Sequence, residues 1–328
     1  MPLHACHRQW VDVCTNLSNP LLDQQITMQT RRTFLQTVPA LTALPALAED
    51  PKKPPAKDEG LTLGFSLYGM KTLKTGDALM RLNGIGYDSV EFCLNPGWDA
   101  APDKLTAQRR RALRALLGHF ELTLTALMVN CSLAGDQKPH HEKLKQAAQV
   151  AHDLAPDAPP LIETVMGNGK WDAVKNQFRD HLGAWAEIAK KSKTLLCVKP
   201  HRFGACNLPE HAVWLVEQIK SSSLKLAYDY SHFAHRDLSL EKTIQLMMPH
   251  TRFIHVKDTV LRDGKPRFVL PGESGQIDYR KLLRLAHKAG YRGDINVEVS
   301  GQVWGQPNYN PIAAALKCYR HLAPAFDQ

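Results

Sequence analysis

From residue 61 onward, short apolar runs alternate with longer amphipathic stretches, and this alternation restricts the fold more than any other feature of the chain. The runs cover 61–67, 88–93, 122–129, 160–166, 194–200, 224–229, 252–257 and 294–299. Each has the length of a buried strand, whose backbone polar groups must find partners in a sheet. Between and after them, apolar residues recur at helical spacing over 75–84, 103–119, 138–154, 171–191, 208–220, 239–249, 278–290 and 311–323. A helical crossover returns the chain in its original direction, so strand-then-helix repeated eight times specifies a parallel sheet. The count and the span predict an α/β fold, a single-domain (β/α)8 TIM barrel over 61–325. A doubly wound open sheet is the alternative, but no Gly-x-Gly-x-x-Gly turn follows the first run. In a barrel, chemistry belongs at the C-terminal ends of the strands.

The segment before the barrel reads as an address. Arg31-Arg32 precede an uncharged stretch, 33–48, that ends in Ala46-Leu47-Ala48, the layout of an export signal. Its Thr-Arg-Arg-x-Phe-Leu core resembles the twin-arginine type, with cleavage expected after Ala48. Such a signal starts at an initiator, so 28–48 is read as the signal from Met28 and 1–27 as a mis-assigned extension. Residues 49–60 are rich in Pro and charge and form a linker. The expected location is therefore periplasmic or extracellular. Pro39 and Pro45 interrupt the apolar stretch, which is too short to span a bilayer stably.

The formal charge of +9 would suit an anionic partner, but the basic residues are dispersed and Arg109-Arg110-Arg111 is the only run of three. Nucleic acid is not an expected partner. Past Ala48 there are five cysteines with no Cys-x-x-Cys pair, which argues against a disulfide framework or a thiolate metal site. Several fall in the strand runs, as small buried apolar residues do.

Read in order, the strand ends carry Glu91, Asn130, Glu163, Lys199 with His201, Asp229 with His232, His255 with Lys257, and Glu298. Ionisable groups converging on one mouth are costly to bury unless they pair or hold a metal. Asp229, His255 and Glu298 form a mixed carboxylate and imidazole set suited to Mn2+, Mg2+, Co2+ or Zn2+. Each also has a plainer account: Asp229 as a turn cap, His255 as a satisfied core histidine, Glu298 as a solvated strand residue. The plainer accounts weaken when all three must hold together.

The Asp-x-x-His of "DYSH", the His-x-Lys-Asp of "HVKD", the "LPGESGQIDY" loop and "GYRGDINVEVS" resemble the sugar phosphate isomerase/epimerase family with a xylose isomerase-like barrel. The resemblance is specific from Asp229 to Ser300 and extends as element order over the rest of the barrel. It implies metal ligands at Asp229, His255 and Glu298 and a substrate-contacting His232. The family's fourth ligand, a Glu before Pro at the fifth strand, is Lys199 before Pro200 in this chain. An ammonium offers no lone pair to a metal.

Three roles for Lys199 follow: proton transfer with a pKa lowered by burial and a neighbouring cation, while His201, Glu91 or a water fills the fourth metal position; an ion pair in a metal-free carbohydrate-binding barrel; or a contact to an anionic substrate group. The first is favoured, because three ligand positions are retained. What the resemblance then implies is a metal-assisted isomerase or epimerase, or a related lyase, acting on an unphosphorylated sugar or keto-sugar through an enediolate. Glu298 and Lys199 would be catalytic; His201, His232, Lys257 and Glu91 would contact substrate. Trp98 and Trp304 are candidates to stack on a sugar face. Asp263-Gly264 predicts a hairpin in the long loop after the seventh strand, from which Arg262 or Arg267 would reach the substrate. The expected partners are a small-molecule carbohydrate and the twin-arginine export machinery, with a homo-oligomer left open. An abasic-site nuclease, which shares the barrel, needs the missing glutamate and further histidines.

Overall fold

The computed structural model describes residues 60–326. The extension, the export signal and the linker up to residue 59 lie outside the described residues.

The expected eight runs are all strands: β1 (Thr62–Ser66), β2 (Ser89–Cys93), β3 (Thr123–Met128), β4 (Leu161–Val165), β5 (Leu196–Lys199), β6 (Leu224–Tyr228) and β7 (Thr251–Val256), then, after the hairpin β8 (Asp258–Arg262) and β9 (Lys265–Val269), β10 (Asp294–Val297). The eight close into a parallel barrel in the order β1, β10, β7, β6, β5, β4, β3, β2. The hairpin turns at Asp263 and Gly264, with φ of 51° and 68°, the left-handed backbone that Asp-Gly tolerates best. It lies beside the barrel as a separate antiparallel pair.

The outer helices are α1 (Thr75–Ile85), α2 (Ala107–His119), α3 (Lys138–Leu154), α4 (Trp171–Lys191), α5 (Pro209–Ile219), α6 (Leu240–Met247), α7 (Tyr279–Lys288), the single turn α8 (Gly301–Trp304) and α9 (Pro311–Leu322). Their starts are encoded locally. Thr106, Ser239, Asp278 and Asn310 accept hydrogen bonds from first-turn amides, and Pro209 and Pro311 open their helices where no amide partner is needed. The second helix begins at Ala107 rather than 103, because a 3-10 turn, Pro102–Lys104, comes first. Among the described residues no helix is long and apolar enough to cross a membrane.

Side chains alternate across a strand, so every second residue enters the barrel. Ala126, Cys197, Ala227 and Phe253 pack together as a small apolar cluster apart from the main core. The next inward position on each of those strands is Met128, Lys199, Asp229 and His255. Two residues beyond this apolar cluster the interior is ionisable at Lys199, Asp229 and His255, while Ser89 and Asn296 are buried polar residues. The five cysteines of the described residues are free and buried.

Candidate active site

β7 and the residue after it place Phe253, His255 and Lys257 on one inward row, and β10 continues into Glu298 on the same mouth. Glu91 sits where the β2–β3 register slips, Thr125 of β3 being the extra residue between the partners of Val90 and Glu91. Glu91, Glu163, Lys199, Asp229, His232, His255, Lys257 and Glu298 are all buried, from 0% to 8% exposed. A cluster of this charge survives burial only because its members satisfy one another.

Two ammonium groups organise it. Nζ of Lys199 donates to Nδ1 of His255 at 2.8 Å and to Oε2 of Glu298 at 2.9 Å, and lies 3.3 Å from Oε1 of Glu163. Nζ of Lys257 donates to Oδ2 of Asp229 and to the same Oε2 of Glu298. Glu298 Oε2 is therefore shared by both cations. His255 turns its Nε2 to Glu91 Oε2 at 3.0 Å. A carboxylate can only accept, so the neutral ring carries its proton on Nε2 and leaves the Nδ1 lone pair for Lys199. Asp229 Oδ1 takes the amide and hydroxyl of Ser231, at 3.0 and 2.6 Å; the turn-cap role and the charged role coexist in one side chain.

The electrostatics follow from these contacts. Burial alone would push Glu298 up, but Lys199, Lys257 and His255 together hold it well below the usual carboxylate range. Glu163 goes the other way, raised by burial despite the neighbouring Lys199. Burial disfavours the Lys199 ammonium, yet Glu163, Glu298 and Asp229 outweigh it and raise its pKa. The expectation that burial would lower the Lys199 pKa and ready it for proton transfer is thus reversed: the carboxylates fix it as a cation. His201 is pushed down to about 4, by burial first and then by Lys257 and Lys199.

The residues expected to hold a metal reach the same mouth, but the donor atoms that converge belong to a different trio. Asp229, His232 and Glu298 each bring one atom within 4.8 Å of the others, a set that could hold an ion. Lys257 stands among all three: it bonds both carboxylates, and its Nζ is 3.3 Å from Nε2 of His232. His232 Nδ1 lies 3.2 Å from the backbone N–H of Arg202, so both ring nitrogens face a donor, and a neutral ring has one lone pair to offer. As arranged, these side chains suit an ammonium and do not fit a divalent ion.

Above the cluster lies a cavity of about 300 Å³ lined by Tyr68, Met128, Asn130, Glu163, Lys199, His201, Phe203 and Glu298, among others, near the small end of ligand-site volumes. His201 packs against His232 with ring centroids 4.2 Å apart. Trp304 meets Tyr68 edge-on at 5.5 Å, and Trp98 stacks on Tyr68 at 5.3 Å. Trp98 is mostly buried in this stack, whereas Trp304 is half-buried. Arg267 is exposed on β9; its neighbour Phe268 turns inward instead, 5.0 Å from the His232 ring and 5.0 Å from Nζ of Lys257. The hairpin therefore presents an aromatic ring to the buried set.

The long loop that follows is tied down by Asp258, whose Oδ2 accepts from Gly272 N, Ser274 N and Ser274 Oγ at 3.0, 2.9 and 2.7 Å, while Oδ1 accepts from Tyr279. Sequence reasoning gave no role to Glu163, Tyr68 or Phe268. For Glu163, an isolated carboxylate between apolar neighbours at a strand end was the available signal; for the two aromatics there was none.

A family model, the xylose isomerase-like TIM barrel, matches residues 80–322. The chain matches none of the curated proteins in sequence. Among solved structures it is similar to the IOLI protein with a bound zinc atom, at TM-score 0.66 and 18% identity over 82% of this chain and 100% of that one. It is similar to 3-keto-D-glucoside 4-epimerase YcjR from E. coli, at TM-score 0.62 and 14% identity over 80% and 99% of the two chains. A xylose isomerase-like TIM barrel/4-hydroxyphenylpyruvate dioxygenase fusion protein aligns at TM-score 0.65 and 16% identity over 81% of this chain, which spans 42% of that longer one. At these identities the likeness concerns the fold. With the closed eight-stranded barrel and a family match over most of its length, the chain belongs to the xylose isomerase-like TIM barrel family.

Proposed function

We propose that this protein is an isomerase or epimerase that moves a proton at a carbon next to the carbonyl of an unphosphorylated sugar or keto-sugar, through an enediolate. The observation that carries this reading is the pairing of two cavity-lining carboxylates with opposite electrostatics, Glu298 and Glu163, on either side of the Lys199 ammonium. Carboxyls pushed apart in this way divide into a base and an acid. Glu298, held ionised by two cations, takes the carbon-bound proton. Glu163, raised by burial and 3.3 Å from Lys199 Nζ through Oε1, exchanges a proton at the opposite face or at the developing oxyanion. Lys199 and Lys257 supply N–H donors and positive charge where the enediolate oxygens develop negative charge, the preorganised stabilisation such reactions need. His201 and His232 orient hydroxyl groups, and Tyr68, Trp304 and Phe203 offer faces to the sugar ring.

One carbohydrate epimerase among the structural neighbours, YcjR, supports the substrate class. Metal assistance, implied by the family, has support in the convergence of Asp229, His232 and Glu298 and in the zinc of the IOLI neighbour; the ammonium groups stand against it. Export through the twin-arginine machinery rests on the Arg31-Arg32 signal, and it favours substrates without phosphate.

The test is solvent exchange. Candidate keto-sugars incubated with the protein in D2O should gain deuterium at the carbon next to the carbonyl, read by NMR, and Glu298→Gln should abolish the gain. Tight sugar binding with no exchange in any candidate would instead favour a non-catalytic carbohydrate-binding barrel. Fractionation and N-terminal sequencing check export: a mature chain beginning at Glu49 is expected.

A further inference from the structure

We infer that the ammonium groups of Lys199 and Lys257 together take the place that a divalent ion fills in a barrel of this family, so that the chain carries its own cation charge and binds no metal. The inference concerns the cation of the site; it rests on the proposed reaction only for what the cation does.

The contacts engage one donor atom on each residue an ion would use. The lone pair of His255 Nδ1 is engaged by Lys199 at 2.8 Å. Oε2 of Glu298 receives both ammonium groups. Asp229 gives Oδ2 to Lys257 and Oδ1 to Ser231. His232 faces the Arg202 amide with Nδ1 and the Lys257 ammonium with Nε2, at 3.2 and 3.3 Å. An ion entering here would have to displace two cations. It would also sit beside two like charges in a site where little water screens them.

Lys199 stands where the family has a glutamate, whereas Lys257 belongs to the His-x-Lys-Asp motif the chain shares with it. Lys199 occupies the fifth-strand position and reaches across the mouth to β7 and to Glu298 beyond β10. Lys257 follows β7 and reaches Asp229 after β6. Two unit charges on fixed stems equal the charge of one divalent ion, and their N–H groups can hydrogen-bond two adjacent oxygens of an enediolate. An ammonium cannot be removed by a chelator, which separates this arrangement experimentally from a resident metal.

The test uses the mature chain and reads ion content rather than turnover, so it fails separately from the proposed reaction. Elemental analysis of the purified wild type should find no stoichiometric Mn, Co, Zn or Mg, and neither EDTA nor added Mn2+ should move its Tm. About one tightly held ion per chain, removed by EDTA with a fall in Tm, overturns the inference. A Lys199→Glu, Lys257→Met double variant should gain Mn2+ binding by roughly 100-fold or more in calorimetry. A folded double variant that still binds no Mn2+ also overturns it, since the two lysines would not be what excludes the ion. Should the double variant fail to fold, the wild-type measurements decide alone.

Discussion

Nζ of Lys199 lies 2.8 Å from Nδ1 of His255, a bond that crosses the barrel mouth from β5 to β7. The same nitrogen reaches Glu298, so one side chain ties three strands at the level where the barrel changes from apolar to ionisable. Removing it should expose what it compensates. Lys199→Met leaves Glu163 and Glu298 buried without one of their cations, and a loss of about 3–5 kcal/mol in unfolding free energy is expected, measured by urea titration at neutral pH. A loss within error of zero would mean that the pair contributes no net stabilisation.

Glu298→Gln keeps the shape of the side chain and removes the charge that both lysines hold. Proton exchange from substrate should fall by roughly 10²- to 10⁴-fold, the range for loss of a general base, while the circular dichroism spectrum stays native. Full retention of exchange would move the base to another residue, Glu163 first.

The pH dependence of stability has a definite sign. His201 sits at about 4 in the folded protein against an ordinary 6.5, and His232 is held well below its ordinary value by burial and then by Lys257. A base with a lowered folded pKa is protonated first in the unfolded chain, so its contribution is complete above 6.5 and is lost as pH falls toward 4. For His201 this is at most about 3 kcal/mol before solvent screening reduces it. Unfolding free energy should therefore drop between pH 6.5 and 4, and less steeply in His201→Gln. Parallel curves for the two proteins would exclude His201 as a source of the slope.

On the hairpin the inward ring and the outward cation should separate in effect. Phe268→Ala removes the face against His232 and Lys257 and should raise KM several-fold. Arg267→Ala, at an exposed position, should leave sugar affinity unchanged. The reverse pattern would restore Arg267 as the contact that its loop position suggests.

Trp304 meets Tyr68 and Trp98 edge-on at the cavity rim. Trp304→Ala should weaken sugar binding by roughly 0.5–1.5 kcal/mol, the worth of an aromatic contact beyond its area, with kcat nearly unchanged. Isothermal titration with a bound sugar reads this directly.

The barrel itself was legible in the sequence. Eight strand runs and eight helical patterns carry their own periodicities, and caps such as Ser239, Asp278 and Asn310 mark starts within one turn. The Asp-Gly hairpin was legible for the same reason, since its left-handed backbone is a local demand. That Glu91, Lys199, Asp229, His255 and Glu298 would share one mouth also followed, because strand ends of a parallel barrel must converge.

Which atoms meet there could not be read from the chain. The pairing of Lys257 with Asp229 and Glu298, the approach of His232 Nδ1 to the Arg202 amide, and the inward turn of Phe268 rather than Arg267 depend on strand register and rotamers. These are set between segments far apart in sequence. The charge of Lys199 is the clearest case. From sequence, burial and a neighbouring cation argued for a lowered pKa, but the sign depends on how many carboxylates surround it. Sequence periodicity fixes which residues face inward, because side-chain direction is a local property of a strand. The number and distance of a buried charge's partners is a property of the closed barrel, and only the tertiary structure decided it.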